Sequence, residues 1–149
     1  MKTLVVYDSV HGNTEKIAQA IGEAVGGDVE VLHAGVVDPA ELKTVDLLFV
    51  GAPTHGGRAS PAMQGFLKEV QGSSLAGTSV ATFDTRLTAR WVRIFGYAAG
   101  RIGSTLKKKG GTLIASPEGF FVKGTEGPLK EGEVERAAQW AEEIVKSKE

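Results

Sequence analysis

The stretch that decides the fold reads Asp8-Ser9-Val10-His11-Gly12-Asn13-Thr14. It follows a short apolar run, Leu4-Val5-Val6, which predicts a buried strand. It leads into residues 14–24, whose apolar spacing is typical of an amphipathic helix. A strand, a tight turn and a helix form the unit from which parallel α/β sheets are built, and this unit recurs along the chain.

The turn is suited to binding a phosphate. A helix that begins directly after it presents unpaired backbone N–H groups and the positive end of its dipole. Gly12 lets the backbone approach a ligand closely, and Ser9, Asn13 and Thr14 supply side-chain donors. A phosphate held in this way needs no lysine in the loop. The alternative is an ordinary connection in which Ser9 or Asn13 caps the helix.

Composition narrows the class of protein. The chain has 149 residues, 42% hydrophobic and 23% charged, which predicts one globular domain over residues 1–149. With 17 basic and 18 acidic side chains, no nucleic-acid or membrane partner is indicated. The absence of cysteine excludes a disulfide scaffold, a thiolate zinc site and a cysteine-ligated iron–sulfur cluster. Redox chemistry would therefore require a bound organic cofactor.

Targeting signals are also not evident in the sequence. Polar residues follow the first apolar run too soon for a signal peptide. No apolar run approaches the roughly 20 residues of a membrane-spanning helix. We therefore expect a soluble, cytoplasmic protein.

The rest of the chain alternates between β-branched runs and helical patterns. Strands are predicted at 3–7, 28–32, 47–50, 79–83 and 112–115. Helices are predicted from 13 or 14 to Gly26, after Asp38, from Pro61, at about 98–109 and at about 131–146. Because helices alternate with strands, the strands run parallel and the helices cover both faces. The predicted fold is an α/β doubly wound, three-layer sandwich around a five-stranded parallel sheet.

Ligands of such sheets bind beyond the carboxyl ends of the strands, at the switch point. The loops after strands one, three and four are therefore expected to meet. The loop at 51–58 contains glycines and Pro53, and the loop from Asp84 to Leu87 is polar. We expect Asp84 to accept hydrogen bonds from a heterocycle. Together the three loops indicate a site for a mononucleotide with a flat ring.

The three loops resemble those of the flavodoxins. Residues 9–15, Ser-Val-His-Gly-Asn-Thr-Glu, resemble the family's phosphate loop, Ser/Thr-x-Thr-Gly-Asn-Thr-Glu, with His11 in place of a hydroxyl residue. Pro53-Thr54-His55-Gly56 is similar to Ser-Thr-aromatic-Gly, and Asp84-Thr85 to Asp-Ser. The likeness to short-chain flavodoxins covers the whole chain. It implies strand order 2-1-3-4-5, FMN as cofactor, and electron transfer between a reductase and an acceptor.

The resemblance also implies which residues contact FMN. They are Ser9, Val10, His11, Gly12, Asn13, Thr14, Pro53, Thr54, His55, Gly56, Gly57, Asp84, Thr85 and Arg86. No catalytic side chain and no metal site are expected. His55 stands where the family has an aromatic ring over the flavin. Leu87 falls near the family's stacking tyrosine, and Trp91 is the nearest aromatic residue.

Two departures leave other functions open. Flavodoxins are usually strongly acidic, whereas this chain has a net charge of −1. Five arginines lie on or near the predicted flavin rim: Arg58, Arg86, Arg90, Arg93 and Arg101. Their positive charge indicates a second reduction potential that is less depressed than in the family, and an acidic partner or an anionic substrate. The alternative is that these arginines form ion pairs on the surface. The alternatives are an FMN-dependent oxidoreductase acting with NAD(P)H, a quinone or protoporphyrinogen, and a binding domain without cofactor. A phospho-accepting receiver domain is disfavoured because Asp8 lacks an acidic neighbour.

The glycine-rich segment 117–132 is the least ordinary part of the chain. Its apolar residues 120–122 are candidates to extend strand five. Long loops within compact domains are frequently functional. We expect this one on the cofactor side of the sheet, bordering a partner surface.

Overall fold

The computed structural model describes residues 1–54, 59–72, 74–87 and 97–148. The helices are α1 (Asn13–Val25), α2 (Pro61–Glu69), α3 (Ala98–Lys108) and α4 (Glu133–Lys148). The strands are β1 (Thr3–Tyr7), β2 (Val29–His33), β3 (Leu47–Pro53), β4 (Ser79–Arg86), β5 (Thr112–Leu113) and β6 (Glu118–Phe121). Short 3-10 helices span Ala34–Val36 and Pro39–Thr44, the latter capped by Asp38 as its Asp-Pro start predicts.

The strands form one parallel sheet in the order β2-β1-β3-β4-β5, which confirms the predicted order. A sixth strand, β6, is added to the predicted five, and it also pairs in parallel with β4. Leu113 lies opposite Val80 and Glu118 opposite Phe83, so the chain between β5 and β6 bulges away from β4. Pro117 lies in this bulge, where it has no N–H to donate to a ladder.

Alternate residues of the strands enter two separate cores. Leu4, Val6, Leu48 and Val50 pack with apolar residues of α2 and α3 on one face. Val5, Leu47, Phe49 and Phe83 pack with α1 and α4 on the other. A strand exposes successive side chains to opposite faces, and burial of both faces explains the continuous apolar runs. The predicted layering, with helices on both faces, is therefore confirmed.

The central strands run further than the sequence pattern indicates. β3 continues to Pro53 and β4 to Arg86, so residues predicted to lie in loops are strand residues. The end of β4 is paired on one side with Gly51–Pro53 of β3 and on the other with β6. Tertiary pairing, rather than local apolar content, holds these polar residues extended.

Gly51 lies where β3 meets the ring of Phe83. A Cβ atom at Gly51 would lie 2.2–2.4 Å from three ring carbons of Phe83, closer than van der Waals contact allows. Both residues are buried in the sheet just before the chain leaves it. Gly51 is therefore needed for the close packing of β3 on Phe83.

We expect Gly51→Ala to lower the free energy of unfolding by about 1–3 kcal/mol, because the added methyl must displace a ring in a packed core. Gly65→Ala is the matched control. Gly65 lies inside α2 with nothing near its Cβ position, so alanine there raises stability by about 0.5–1 kcal/mol. Urea denaturation measures both. Equal effects of the two substitutions would contradict the packing argument.

Candidate functional site

A cleft opens at the carboxyl ends of β1, β3 and β4, where the three loops were predicted to meet. Twelve residues line it: Ser9, Val10, His11, Asn13, Thr14, Pro53, Thr54, Thr85, Arg86, Leu87, Val122 and Thr125. The first nine belong to the predicted site. The last two come from the segment after β6, so a fourth part of the chain contributes to the cleft.

The loop after β1 ends in a helix start that no side chain caps. Gly12 is the N-cap residue of α1, in the left-handed conformation with φ +88°, and its N–H donates to the Ser9 hydroxyl at 3.0 Å. In the described part of the chain, the first turn of α1 has no side-chain cap. The alternative in which Ser9 or Asn13 caps the helix is therefore wrong. The N–H groups of this turn are left for an anion.

A buried hydroxyl pair joins the first and third loops. Thr14 Oγ1 and Thr85 Oγ1 lie 2.8 Å apart, and both side chains are buried. The Thr85 carbonyl also accepts a hydrogen bond from the N–H of Thr54 at 3.0 Å. Thr85 therefore fixes the start of α1 and the end of β3 relative to β4.

Asp84 lies beneath the cleft rather than in its wall. Its side chain is fully buried and accepts from Arg86 Nε at 2.6 Å, from Arg86 Nη2 at 2.8 Å and from the Ala99 N–H at 2.9 Å. Burial raises the pKa of Asp84 above its ordinary value of 3.8, against the lowering effect of Arg86 and the helix N–H. Its carboxylate thus holds α3 and Arg86 in place, instead of facing the cleft as the sequence predicts.

Of the five predicted arginines, Arg86 and Arg101 lie in the described residues; Arg86 lines the cleft and Arg101 does not. The guanidinium of Arg86 lies 3.4 Å from the centre of the Tyr97 ring, in addition to its two contacts with Asp84. The charge of Arg86 is therefore compensated by a buried carboxylate and does not pair on the surface. Arg58, Arg90 and Arg93 lie outside the described residues.

A second buried carboxylate, Asp8, joins the ends of β1, β2 and the start of α2. Asp8 accepts a hydrogen bond from the Ser60 hydroxyl and another from His33 Nε2 at 2.7 Å. His33 Nδ1 accepts the Gly35 N–H at 3.0 Å, so the Nε2 atom carries the ring proton. His33 therefore has a structural role at the end of β2, where it links Asp8 to the turn at Gly35. The order Ser–Asp–His differs from a hydrolase triad, in which histidine stands in the middle.

The segment from Val122 to Lys130 forms a hairpin beside the phosphate loop. Val122 and Leu129 form an antiparallel bridge, and Asn13 Nδ2 donates to the Glu126 carbonyl at 3.2 Å. This segment, which we call the 122–130 hairpin, lines the cleft through Val122 and Thr125, on the side of the sheet where it was expected. The partner surface predicted beside it stays a prediction. Residues 118–121 form a separate strand, β6, so the prediction that residues 120–122 extend strand five is wrong. Four residues separate β6 from β5, and Val122 lies in the bridge to Leu129 instead.

The base of the hairpin is fastened to α4 by an ionic network. Glu133 accepts two hydrogen bonds from Arg136 and one, at 2.7 Å, from the Phe121 N–H. Arg136 also contacts Glu118 at 3.0 Å. The Arg136 guanidinium lowers the pKa of Glu133 below its ordinary value of 4.5.

Comparison with known proteins decides the family. A family model described as a flavodoxin domain matches residues 4–99. The chain belongs to the flavodoxin family. The flavodoxin of Aquifex aeolicus is 35% identical over 75 residues, which cover 48% of this chain and 40% of that protein. Flavodoxin 1 of Escherichia coli strain K12 is 29% identical over 114 residues, which cover 75% of this chain and 65% of that protein.

Structural comparison agrees with this assignment. A flavodoxin from the domain Archaea superposes with a TM-score of 0.82 at 25% identity, and the match covers 100% of both chains. The sequence matches, in contrast, span less than two thirds of the length of the two curated flavodoxins. In the part of the chain that is described, no helix is long and apolar enough to cross a membrane.

The geometry fits the phosphate of a flavodoxin cofactor. The uncapped start of α1 and the hydroxyls of Ser9 and Thr14 lie in the cleft, and Gly12, which does not itself line the cleft, is the N-cap residue of that helix. Such an arrangement of neutral donors at a helix N-terminus is a general way to bind phosphate. His55, Gly56 and Gly57, and also Trp91, lie outside the described residues, so their predicted contacts stay predictions.

Three contributions were missed at the sequence level. Val122 and Thr125 line the cleft, and Asp8 joins three loop ends through His33 and Ser60. The glycine-rich composition of 117–132 was the available signal for the first two. For Asp8 the only signal was an acidic residue at the end of a buried strand.

We expect Asp8→Ala to destabilise the protein by about 1–3 kcal/mol, because the hydroxyl of buried Ser60 and the ring N–H of His33 lose their acceptor. Asp28→Ala is the control, since Asp28 is exposed; its effect is expected to stay within about 0.5 kcal/mol. Chemical denaturation monitored by circular dichroism compares the two. An Asp8→Ala protein as stable as the control would show that the network contributes nothing.

The lowered pKa of Glu133 predicts a pH dependence of stability. As the pH falls below 4.5, Glu133 takes up a proton in the unfolded state before it does so in the folded state, so the free energy of unfolding decreases. Glu133→Gln is expected to reduce this loss, whereas Glu135→Gln, an exposed neighbour on α4, keeps it. Denaturation curves between neutral pH and about pH 3 measure the slopes. If the free energy of unfolding of Glu133→Gln falls with pH as steeply as that of the wild type, the lowered pKa of Glu133 is not the cause of the loss.

Proposed function

We propose that this member of the flavodoxin family binds FMN as a single domain and carries electrons in the cytoplasm between a reductase and an acceptor protein. The observation that carries the proposal is the uncapped N-terminus of α1, opened by left-handed Gly12, at one end of a cleft that β3 and β4 complete. Family membership supports the identity of the cofactor.

In this proposal, neutral groups hold the phosphate. The first N–H groups of α1 and the hydroxyls of Ser9 and Thr14 donate to it, and His11 lies on the exposed rim. The helix dipole adds to their effect because its positive end points at the anion. No lysine side chain lines the described cleft.

The remaining wall of the cleft accommodates the ring. Pro53 and Leu87 give it apolar surface, and Thr54 and Thr85 give it polar edges. The Thr54 hydroxyl already accepts the Ala98 N–H at 3.0 Å, which fixes its orientation. When bound, FMN supplies the electron-accepting and electron-donating chemistry. The protein binds the cofactor, positions it and limits access of water, and no side chain is assigned as an acid or base.

The charge distribution affects which partner is expected. Compensation of Arg86 by Asp84 removes one of the positive charges that favour an anionic substrate. With a net charge of −1, the chain also lacks the acidic field that would steer a strongly basic partner. These charges give no reason to prefer an anionic substrate, so electron transfer between a reductase and an acceptor protein is the favoured function.

The first test is an absorption spectrum of the purified protein before and after addition of FMN, followed by stepwise anaerobic reduction. Flavin bands with one FMN bound per chain, and reduction in separable single-electron steps, are expected for the carrier. Absence of flavin binding would contradict the proposal. Steady turnover of NAD(P)H with a quinone by this protein alone would replace the carrier with an oxidoreductase.

A variant tests the location of the phosphate. We expect Thr14→Val to raise the Kd for FMN by about tenfold, because it removes a donor and leaves the Thr85 hydroxyl without its partner. Thr112→Val is the control. Thr112 is exposed and lies opposite Ser79, where β5 and β4 begin, at the end of the sheet away from the cleft. The Kd of this variant is therefore expected to match the wild type. Fluorescence titration of the apoprotein measures both, and equal Kd values for the two variants would place the phosphate elsewhere.

A further inference from the structure

The 122–130 hairpin forms a wall of the cleft that the proposed FMN contacts do not include. Its shape is fixed by its own backbone: the Lys123 N–H donates to the Pro128 carbonyl at 2.8 Å, and the Gly127 N–H donates to the Gly124 carbonyl at 3.0 Å. The bridge between Val122 and Leu129 closes its base. The tip of the hairpin is thus a defined turn rather than a loose connection.

Asn13 fastens this tip to the phosphate loop. Its side chain is only 8% exposed and donates to the Glu126 carbonyl at 3.2 Å. Gly127 has φ +103°, and a Cβ atom there would lie 2.6 Å from Asn13 Oδ1. A side chain at position 127 is therefore excluded both by backbone strain and by contact. The first residue of α1 and the hairpin tip form one packed unit.

Thr125 stands at the cleft end of this unit. It lines the same cleft as Ser9 and Thr14. Among the residues that the structure describes, its hydroxyl makes no hydrogen bond. A phosphate monoester presents three strongly accepting oxygens, and neutral hydroxyl donors can satisfy those that the helix N–H groups do not reach. A free hydroxyl beside the uncapped start of α1 is suited to that task.

We propose that the Thr125 hydroxyl is a ligand of the flavin phosphate, held there by the packing of the hairpin tip on Asn13. The proposal rests on the FMN binding proposed above and adds a contact from a part of the chain that the phosphate loop does not contain. It makes the hairpin a determinant of specificity for the phosphorylated flavin. Riboflavin, which differs from FMN by lacking the phosphate, does not use this contact.

The experiment titrates apoprotein with FMN and, separately, with riboflavin, following the quenching of flavin fluorescence. Thr125→Val keeps the shape of the side chain and removes its hydroxyl. We expect the Kd for FMN to rise by about tenfold and the Kd for riboflavin to stay unchanged. Thr125→Ser restores the donor and is expected to recover the FMN affinity. Thr112 is exposed at the start of β5, at the end of the sheet away from the cleft, and Thr112→Val leaves both constants unchanged.

A second variant tests the role of the packing. Gly127→Ala moves the hairpin tip away from Asn13 while Thr125 keeps its hydroxyl, so the same selective loss of FMN affinity is expected. Thermal unfolding of each apoprotein shows whether it is folded. For the exposed Thr125 we expect no change in Tm, so the Thr125 pair tests the proposal even if Gly127→Ala fails to fold.

The outcomes separate this proposal from the function on which it rests. Equal weakening of FMN and riboflavin by Thr125→Val, or no change in either, overturns the phosphate contact while FMN binding by the wild type still supports the carrier. Failure of the wild type to bind any flavin overturns the proposed function and this contact together. The contact is supported if Thr125→Val lowers the affinity for FMN but not for riboflavin, and if Thr125→Ser recovers the affinity for FMN.

Discussion

The pairing of β4 on both sides is the constraint on which the rest of the cleft depends. β3 and β6 hold the polar residues Asp84, Thr85 and Arg86 extended beyond the point where the apolar pattern ends. Each of them then fixes another segment: Asp84 holds the start of α3, and Thr85 holds Thr14. The Arg86 carbonyl accepts the N–H of Val122 at 3.0 Å, where the hairpin begins. One strand end thereby orders three sides of the cleft.

Buried carboxylates also hold separate segments together around the site. An isolated carboxylate is costly to bury, but one that collects several donors joins the segments that supply them. Asp8 joins β2 and α2 in this way, and Asp84 joins Arg86 and α3. The arrangement also determines charge: the guanidinium in the cleft wall is already neutralised. Neutral hydroxyl and N–H donors are therefore left as the main polar groups facing the cleft.

Much of the fold was predictable because it is encoded locally. Alternation of apolar runs and helical patterns gave the element order, and the turn at Gly12 marked the site. The ends of β3 and β4 were not predictable from the sequence. The polar residues Asp84–Arg86 have the pattern of a loop, and they are extended only because β6 pairs with them. A break near Pro117 separates β6 from β5. The sequence therefore does not show that both strands pair with the same side of β4.

The residues of the candidate site also differ in how far the sequence predicts them. Residues close in sequence to the strand ends, such as Ser9, Thr14 and Thr54, were named from loop pattern and family resemblance, and the structure brings them to one cleft. Thr125 and Asp8 were not assigned a role, because their positions depend on contacts with residues distant in sequence. The direction in which Asp84 faces was missed for a similar reason: its partner Ala99 is the first turn of a helix 15 residues away.

The contact between Asn13 and Glu126 has a consequence for the order of folding. It joins residues separated by 113 positions, so the loop after β1 is completed by a segment that is synthesised much later. Contacts of such long sequence separation carry a higher loop-closure cost than local contacts and tend to form later. A nascent chain emerging from the ribosome can therefore assemble β1, α1 and β3 well before the loop after β1 has a second wall. The wall that this hairpin adds to the cleft is therefore completed only after the central sheet has formed.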